Sequence, residues 1–346
     1  METIEHLIVG AGPAGLRAGQ VLADAGREVL VVERRADIGP KTCAGGLTRK
    51  TISLLRALGL PPHAGLENRG HVVFRSDRLR ALDEADTAVV TLPRRDLGRM
   101  QLGWTRRAGA DVWSGVAVTE LDLPRRRARI GDRVVRWRHL VGADGSGSSV
   151  RRALGLPSPR AYFAAEYNVP GLRLGPLRVE CVPGTLANGY FWVFPHCDYT
   201  SFGAVAPKHL VRPSSLRRFL DSRMAELGVA TGGVPFEGAA LEVHYCGIHF
   251  PGGVHLVGDA AGTPSSLTAE GIYPALVTGE EAALGILDRA YPAARTARWL
   301  RVKRRHDRLA RLLESAVARA PLLGTLDTLA RLPAARRSLA RWFLAG

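Results

Sequence analysis

His6-Leu7-Ile8-Val9-Gly10-Ala11-Gly12-Pro13-Ala14-Gly15 is the stretch on which the fold turns. The run from His6 to Val9 reads as a buried strand, the three glycines as a tight turn, and the residues through Val21-Leu22 as a helix. A second apolar run, Val29-Leu30-Val31-Val32, follows and ends on Glu33. Strand, glycine turn, helix and strand make one βαβ unit. Such a turn leaves backbone N–H groups free at a helix start and lets a phosphate approach the chain closely. Glu33 lies ~20 residues past the glycines, where an acidic side chain meets the ribose of an adenosine. The unit is that of a dinucleotide-binding fold.

Two later runs have the same character, His139-Leu140-Val141-Gly142-Ala143-Asp144-Gly145 and Val254-His255-Leu256-Val257-Gly258-Asp259-Ala260. Each reads as a buried strand that delivers an aspartate at its carboxyl end, where a carboxylate accepts hydrogen bonds from cofactor hydroxyls. If both join the sheet begun at His6, the nucleotide-binding domain is discontinuous. The segments between carry Val, Phe, Tyr and Thr with turn residues, which predicts a second, mainly antiparallel sheet. After Gly271 the pattern becomes helical, with one helix expected over Ala275 to Ala290 and another over Arg295 to Arg319.

Composition narrows the function. Among 346 residues, 48 Lys and Arg exceed 32 Asp and Glu to give +16; 13 basic against 3 acidic residues after position 294 place +10 of it there. The last segment is thus an amphipathic basic helix that invites an anionic partner, a membrane surface or an acidic protein. Aromatic residues are 6% and no nucleic-acid motif is present, which argues against nucleic acid. Cys43, Cys181, Cys197 and Cys246 form no CxxC pair and no zinc-like spacing, so no metal is expected and the thiols read as reduced and cytoplasmic. No run approaches ~18 apolar residues.

Tyr190, Trp192 and Phe194 alternate with their neighbours, so all three face one side of a strand, either as core or as the wall of an apolar cavity. Cys43 stands beside Gly45 and Gly46, which permit close backbone approach to a flat ring. His196 and Cys197 follow the aromatic strand and read as solvated loop residues.

As a set these segments resemble the geranylgeranyl reductase family, FAD-dependent oxidoreductases with the glutathione-reductase or p-hydroxybenzoate-hydroxylase type of fold. The glycine unit and the Asp144 and Asp259 elements resemble its FAD site, with Asp259 on the ribityl chain. Lys41-Thr42-Cys43-Ala44-Gly45-Gly46-Leu47-Thr48 resembles the cysteine-glycine segment beside the isoalloxazine. Tyr190-Phe191-Trp192-Val193-Phe194-Pro195, with Gly203 after it, resembles the substrate-cavity motif, although Ala204-Val205 stand where a second glycine would fall. Leu267-Thr268-Ala269-Glu270-Gly271-Ile272 resembles the flavin-ring loop, with Gly279 and Ala282 in the helix after it, and Arg94 resembles an arginine near the flavin. The chain is short for the family, and nothing after residue 295 resembles it.

The resemblance implies an α/β FAD-binding domain made of residues 1–68, 95–157 and 248–292, a substrate-binding sheet domain of 69–94 and 158–247, and a basic helical segment of 293–346. It implies cofactor contacts from Gly10, Gly12, Ala14, Gly15, Glu33, Arg34, Cys43, Ala44, Gly45, Arg94, Asp144, Gly258, Asp259, Gly271 and Ile272. Cys43, Tyr190 and Trp192 are the expected catalytic residues, and these three with Phe194 and Pro195 the expected substrate cavity. The implied activity is saturation of isoprenoid double bonds with electrons from NADPH or reduced ferredoxin. Two alternatives stand beside it: a flavin monooxygenase or halogenase acting on an aromatic or amine, and a non-catalytic flavoprotein or membrane-surface module.

Overall fold

The computed structural model describes residues 2–74, 88–330 and 332. Parts of two expected segments, 75–87 within 69–94 and 333–346 within 293–346, lie outside the described residues.

The strand Thr3–Val9 pairs in parallel with Val29–Glu33 on one side and Arg133–Gly142 on the other. Val254–Leu256 extends the sheet beyond Arg133–Gly142, and Asp111–Ser114 extends it beyond Val29–Glu33. Both Gly-Asp runs therefore join the sheet begun at the first strand, with their carboxyl ends on the glycine-turn side. Ile8, Val31 and Val141 face the helices Pro13–Asp24 and Ile272–Leu287. Leu7, Val9, Leu30 and Leu140 face an antiparallel pair, Val118–Asp122 and Arg127–Ile130, which pairs onto Arg133–Gly142. Burial on both faces explains why these strands read as continuous apolar runs.

The second sheet runs in the order Phe236–Glu242, Ala161–Pro170, Tyr199–Pro207, Tyr190–Pro195, Leu177–Cys181, Leu66–Phe74, Ala88–Thr91, Gly46–Leu47. All its pairings are antiparallel except that of Leu177–Cys181 with Leu66–Phe74. Gly46–Leu47 and the start of Leu66–Phe74 enter this sheet from before residue 69, because a two-residue strand has no periodicity to betray it. The helix Pro213–Glu226 covers one face, where Leu220 and Met224 meet Phe191, Val193 and Phe202. The opposite face carries Trp192, Phe194 and Val205.

The helix after Gly271 spans Ile272–Leu287, three residues earlier at each end than its sequence pattern. The single long helix expected over Arg295 to Arg319 is two, Ala294–Glu314 and Ala316–Ala330. Ser315 is extended between them (φ −71°, ψ 121°), and its hydroxyl accepts the N–H of Ala318, the capping use for which serine is suited. No helix among the described residues is long and apolar enough to cross a membrane.

Candidate active site

A cleft of about 570 Å3 lies at the carboxyl ends of the first sheet, lined by Gly10, Gly12, Ala14, Glu33, Arg34, Arg94, Asp144, Gly258 and Asp259. The three glycines do different things. Gly10 takes φ +105° and its missing Cβ would strike the Ala143 carbonyl. Gly12 has nothing within 4 Å where a Cβ would stand, so the chain is open to a ligand there, at the start of the helix Pro13–Asp24. Gly15 lines no cleft: a side chain there would collide with the Gly10 carbonyl, so it serves the packing of helix on turn. Glu33 accepts the Ala11 N–H at 2.9 Å through one oxygen and the Arg35 N–H at 3.0 Å through the other, which fixes its carboxylate at the strand end.

Asp144 holds the next helix with one oxygen, accepting from the Ser149 N–H (2.6 Å) and hydroxyl (2.7 Å). Its Oδ1 is buried without a partner, as is Nε of Arg94. Buried polar atoms rarely stay unpaired, so both mark places where a polar ligand belongs. Asp259 accepts from Lys41 Nζ (2.6 Å) and the Ser146 hydroxyl (3.1 Å). The cleft thus offers a helix start, open backbone at Gly12, acidic groups for hydroxyls and arginines for phosphate, the donor set of a dinucleotide such as FAD.

A second cavity of about 200 Å3 shares Pro13, Lys41, Arg94, Asp259 and Ala275 with the first and continues it between the two sheets. Cys43, Ala44, Gly271 and Ile272 line it on one side, and Tyr190, Trp192, Phe194 and Val205 on the other. The period-two stripe faces this cavity while Phe191 and Val193 face away. Pro195 does not line it; its carbonyl accepts from the Thr91 hydroxyl, and Pro195 ends the strand. Gly45 is not on the wall either: at φ +71° its Cβ would stand 2.7 Å from His196 Cε1 and Leu92 O. Val205, where a glycine pair would end, fills part of the cavity with its side chain.

Three polar groups at or behind this cavity are not among the expected site residues. Glu166, 1% exposed, accepts the Cys43 N–H (2.9 Å) with one oxygen and the Ser201 hydroxyl (3.0 Å) with the other, while Ser201 Oγ accepts the Trp192 indole N–H at 3.0 Å. One carboxylate thereby ties both cavity walls, and its burial raises its pKa. Glu270 lines the cavity between Lys50 (2.9 Å) and the Thr48 hydroxyl (3.0 Å); burial raises its pKa against the pull of Lys50. His196 is the third. The solvated loop histidine expected there is 1% exposed, stacked on Tyr199 with centroids 4.2 Å apart, its Nε2 at 3.0 Å from the Ala44 carbonyl. Desolvation lowers its pKa to about 4, so it is neutral at neutral pH. Tyr190 donates to the Thr268 carbonyl at 2.9 Å, and burial raises its pKa. The four cysteines are free thiols.

Residues 3–207 match a family described as FAD binding domain. Digeranylgeranylglycerophospholipid reductase 1 of Methanopyrus kandleri is 30% identical over 79% of this chain and 77% of its own. The chain belongs to the geranylgeranyl reductase family. It is an FAD-dependent oxidoreductase. Among solved structures, a geranylgeranyl bacteriochlorophyll reductase-like protein of Thermoplasma acidophilum superposes with a TM-score of 0.75, over 96% of this chain and 92% of its own, at 24% identity. The p-nitrophenol 4-monooxygenase of Pseudomonas putida shares the fold at a TM-score of 0.72 and 17% identity, covering 100% of this chain and 99% of its own. In this member of the geranylgeranyl reductase family, then, the fold alone is common to reductases and monooxygenases, and the distinction must come from the cavity.

Proposed function

We propose that this protein saturates carbon–carbon double bonds of an isoprenoid, a geranylgeranyl-type lipid, a prenyl diphosphate or a prenylated quinone. The observation that carries the reading is the apolar cavity between the Cys43 segment and the Tyr190, Trp192 and Phe194 wall, continuous with the nucleotide cleft at Arg94 and Asp259. FAD, once reduced, supplies the hydride in such a reaction. The chain's own residues would do the rest by position. Gly10, Gly12, Ala14, Glu33 and Arg34 would hold the adenosine and pyrophosphate half, Asp144, Gly258 and Asp259 the ribityl side, and Cys43, Ala44, Arg94, Gly271 and Ile272 the ring. Trp192 and Phe194 would lay the prenyl chain along the ring and exclude water, with burial contributing about 25 cal/mol per Å2 of apolar area. Cys43 and Tyr190 line the same cavity, and we assign them the catalytic contacts.

In this reading the first sheet carries the cofactor, the second sheet the substrate, and the basic helix meets an anionic lipid surface. Arg298, Arg301, Arg304, Arg305, Arg308 and Arg311 are all exposed on that helix, next to Leu312 at 49% and Val317 at 87% exposure. The electron donor is NADPH or reduced ferredoxin. The test is anaerobic incubation of the dithionite-reduced, FAD-loaded protein with geranylgeranyl lipids, diphosphates and quinones, followed by mass spectrometry. Products heavier by pairs of hydrogens are expected. Unchanged masses with every prenyl compound, together with O2-dependent hydroxylation of an aromatic, would replace the reading with a monooxygenase.

A further inference from the structure

The helix Ala294–Glu314 has an outward arginine face, and its inward face is the more telling one. Trp299, Lys303, His306 and Asp307 recur at steps of four, three and one, so they share one side of the helix, and each bonds to one loop. Trp299 donates its indole N–H to the Thr263 carbonyl at 2.9 Å. Lys303, 1% exposed, donates to the Pro264 carbonyl at 2.8 Å and the Val243 carbonyl at 2.7 Å, with Asp307 at 3.2 Å as its counter-ion. Ser266 donates its hydroxyl to Asp307 at 2.5 Å. His306 Nδ1 lies 2.8 Å from the Ser265 oxygen, which also accepts the N–H groups of Leu267 (3.2 Å) and Thr268 (3.1 Å). With two amides on its oxygen, the Ser265 hydroxyl has its hydrogen left for His306, which accepts it.

The loop so gripped is Thr263–Gly271, whose Thr268, Ala269, Glu270 and Gly271 line the apolar cavity. It holds strain of its own, since Ala269 sits at φ +52°, a conformation that a residue with a Cβ adopts only when its surroundings impose it. The helix is anchored at both ends. Buried Glu281 accepts the N–H groups of Thr296 (2.7 Å) and Arg295 (3.1 Å) at its start, and Glu314 at its end accepts from Tyr162 (2.7 Å) of the second sheet and from Arg160 (2.6 Å) just before that strand. It therefore spans from the first domain to the second across the back of the loop.

We propose that the helix Ala294–Glu314 is a strap that holds the loop Thr263–Gly271 in its strained, cavity-lining form, and that Lys303 is its positioning residue. Lys303 touches neither cleft; it acts through the Pro264 carbonyl on the loop and the Val243 carbonyl on the strand exit. The link to turnover rests on the cavity being the one that holds substrate over the flavin, whereas the link to the loop does not.

The experiment compares the FAD-loaded full chain with Lys303→Met and, as a surface control, Arg301→Ala, by hydrogen exchange read in peptides. Lys303→Met is expected to raise exchange at least tenfold in peptides covering 263–271, to leave those covering 3–33 unchanged, and to alter the visible spectrum of the bound flavin. Arg301→Ala, whose proposed lipid contact is absent from this assay, is expected to change none of these. Trp299→Phe removes the bond to Thr263 and weakens the ring contacts with Lys50 and Tyr273 while leaving the rest of the grip in place, so it should give the same local pattern more weakly and serves if Lys303→Met does not fold. An increase spread evenly over all peptides, or none in 263–271 for either variant, overturns the proposal. Because exchange is read without any isoprenoid, failure of the proposed reaction would leave this result standing, and the reverse.

Discussion

Removing the carboxylate of Glu166 should loosen both walls of the cavity at once. Glu166→Ala leaves the Cys43 N–H and the Ser201 hydroxyl without their acceptor in a place where Glu166 is 1% exposed. Each such loss costs about 1–3 kcal/mol, and relief of a buried charge offsets part of it. A net loss of about 3 kcal/mol is expected for Glu166→Ala, and about 1 kcal/mol for Glu166→Gln, which keeps the volume and one acceptor oxygen. The functional effect follows from the Trp192 indole, which hangs from Ser201 at 3.0 Å. With Ser201 free to turn, the KM for an isoprenoid should rise about tenfold, equivalent to ~1.4 kcal/mol, while FAD affinity, carried mostly by the nucleotide cleft, should fall by less than that.

The same group also gives a pH signature. Burial raises the Glu166 pKa above the ordinary 4.5, so between the unfolded and folded values the folded chain holds a proton that the unfolded chain has released. Wild-type stability due to this group is full below the unfolded value and falls as pH rises through the folded one. Glu166→Gln has no such fall, so its deficit against wild type should shrink with rising pH. Urea unfolding across pH, FAD titration and steady-state kinetics read these three quantities. Glu166→Ala within ~0.5 kcal/mol of wild type and with an unchanged KM would refute the argument.

Other expectations are equally direct. His6, His139 and His255 stack across neighbouring strands with centroids 5.3 and 5.7 Å apart, His249 meets His255 at 2.8 Å, and burial lowers all four pKa values, that of His255 to about 3. Unfolding therefore takes up protons below the ordinary 6.5, stability should fall as pH drops from there, and His255→Gln should flatten that slope in urea titrations. Gly203→Ala puts a methyl group into the Trp192 ring; a loss of about 1–3 kcal/mol in thermal unfolding is expected, with FAD binding intact. Asp259→Ala should weaken FAD about tenfold or more by calorimetry, whereas Lys41→Met, which removes one of the two donors on Asp259 Oδ2 and leaves the Ser146 hydroxyl there, should change it less than threefold.

The legible parts were those whose signal is local. Strand, glycine turn, helix and strand lie within residues 3–33, and the Gly-Asp runs were recognisable because strands buried on both faces are apolar throughout. The alternation of Tyr190, Trp192 and Phe194 told their common face, but not that it bounds a cavity, which needs the Cys43 segment from far upstream. Glu166, 123 residues from Cys43, and Lys41, 218 from Asp259, act through pairings that no spacing announces. His196 read as solvated because its neighbours are loop residues, yet Tyr199 and Ala44 enclose it. The basic helix showed its charges in the sequence and hid its function, since the residues that grip Thr263–Gly271 are the few between the arginines.

The central claim, that a reduced flavin faces an isoprenoid across the Cys43 and Trp192 cavity, is tested most directly by mixing the dithionite-bleached, FAD-loaded protein with a geranylgeranyl lipid under strict anaerobiosis. Return of the yellow colour with the unsaturated lipid, none with its fully saturated analogue, and slowed return in Trp192→Ala is the predicted result. A protein that stays bleached with every prenyl compound and regains colour only on admission of O2 would contradict it.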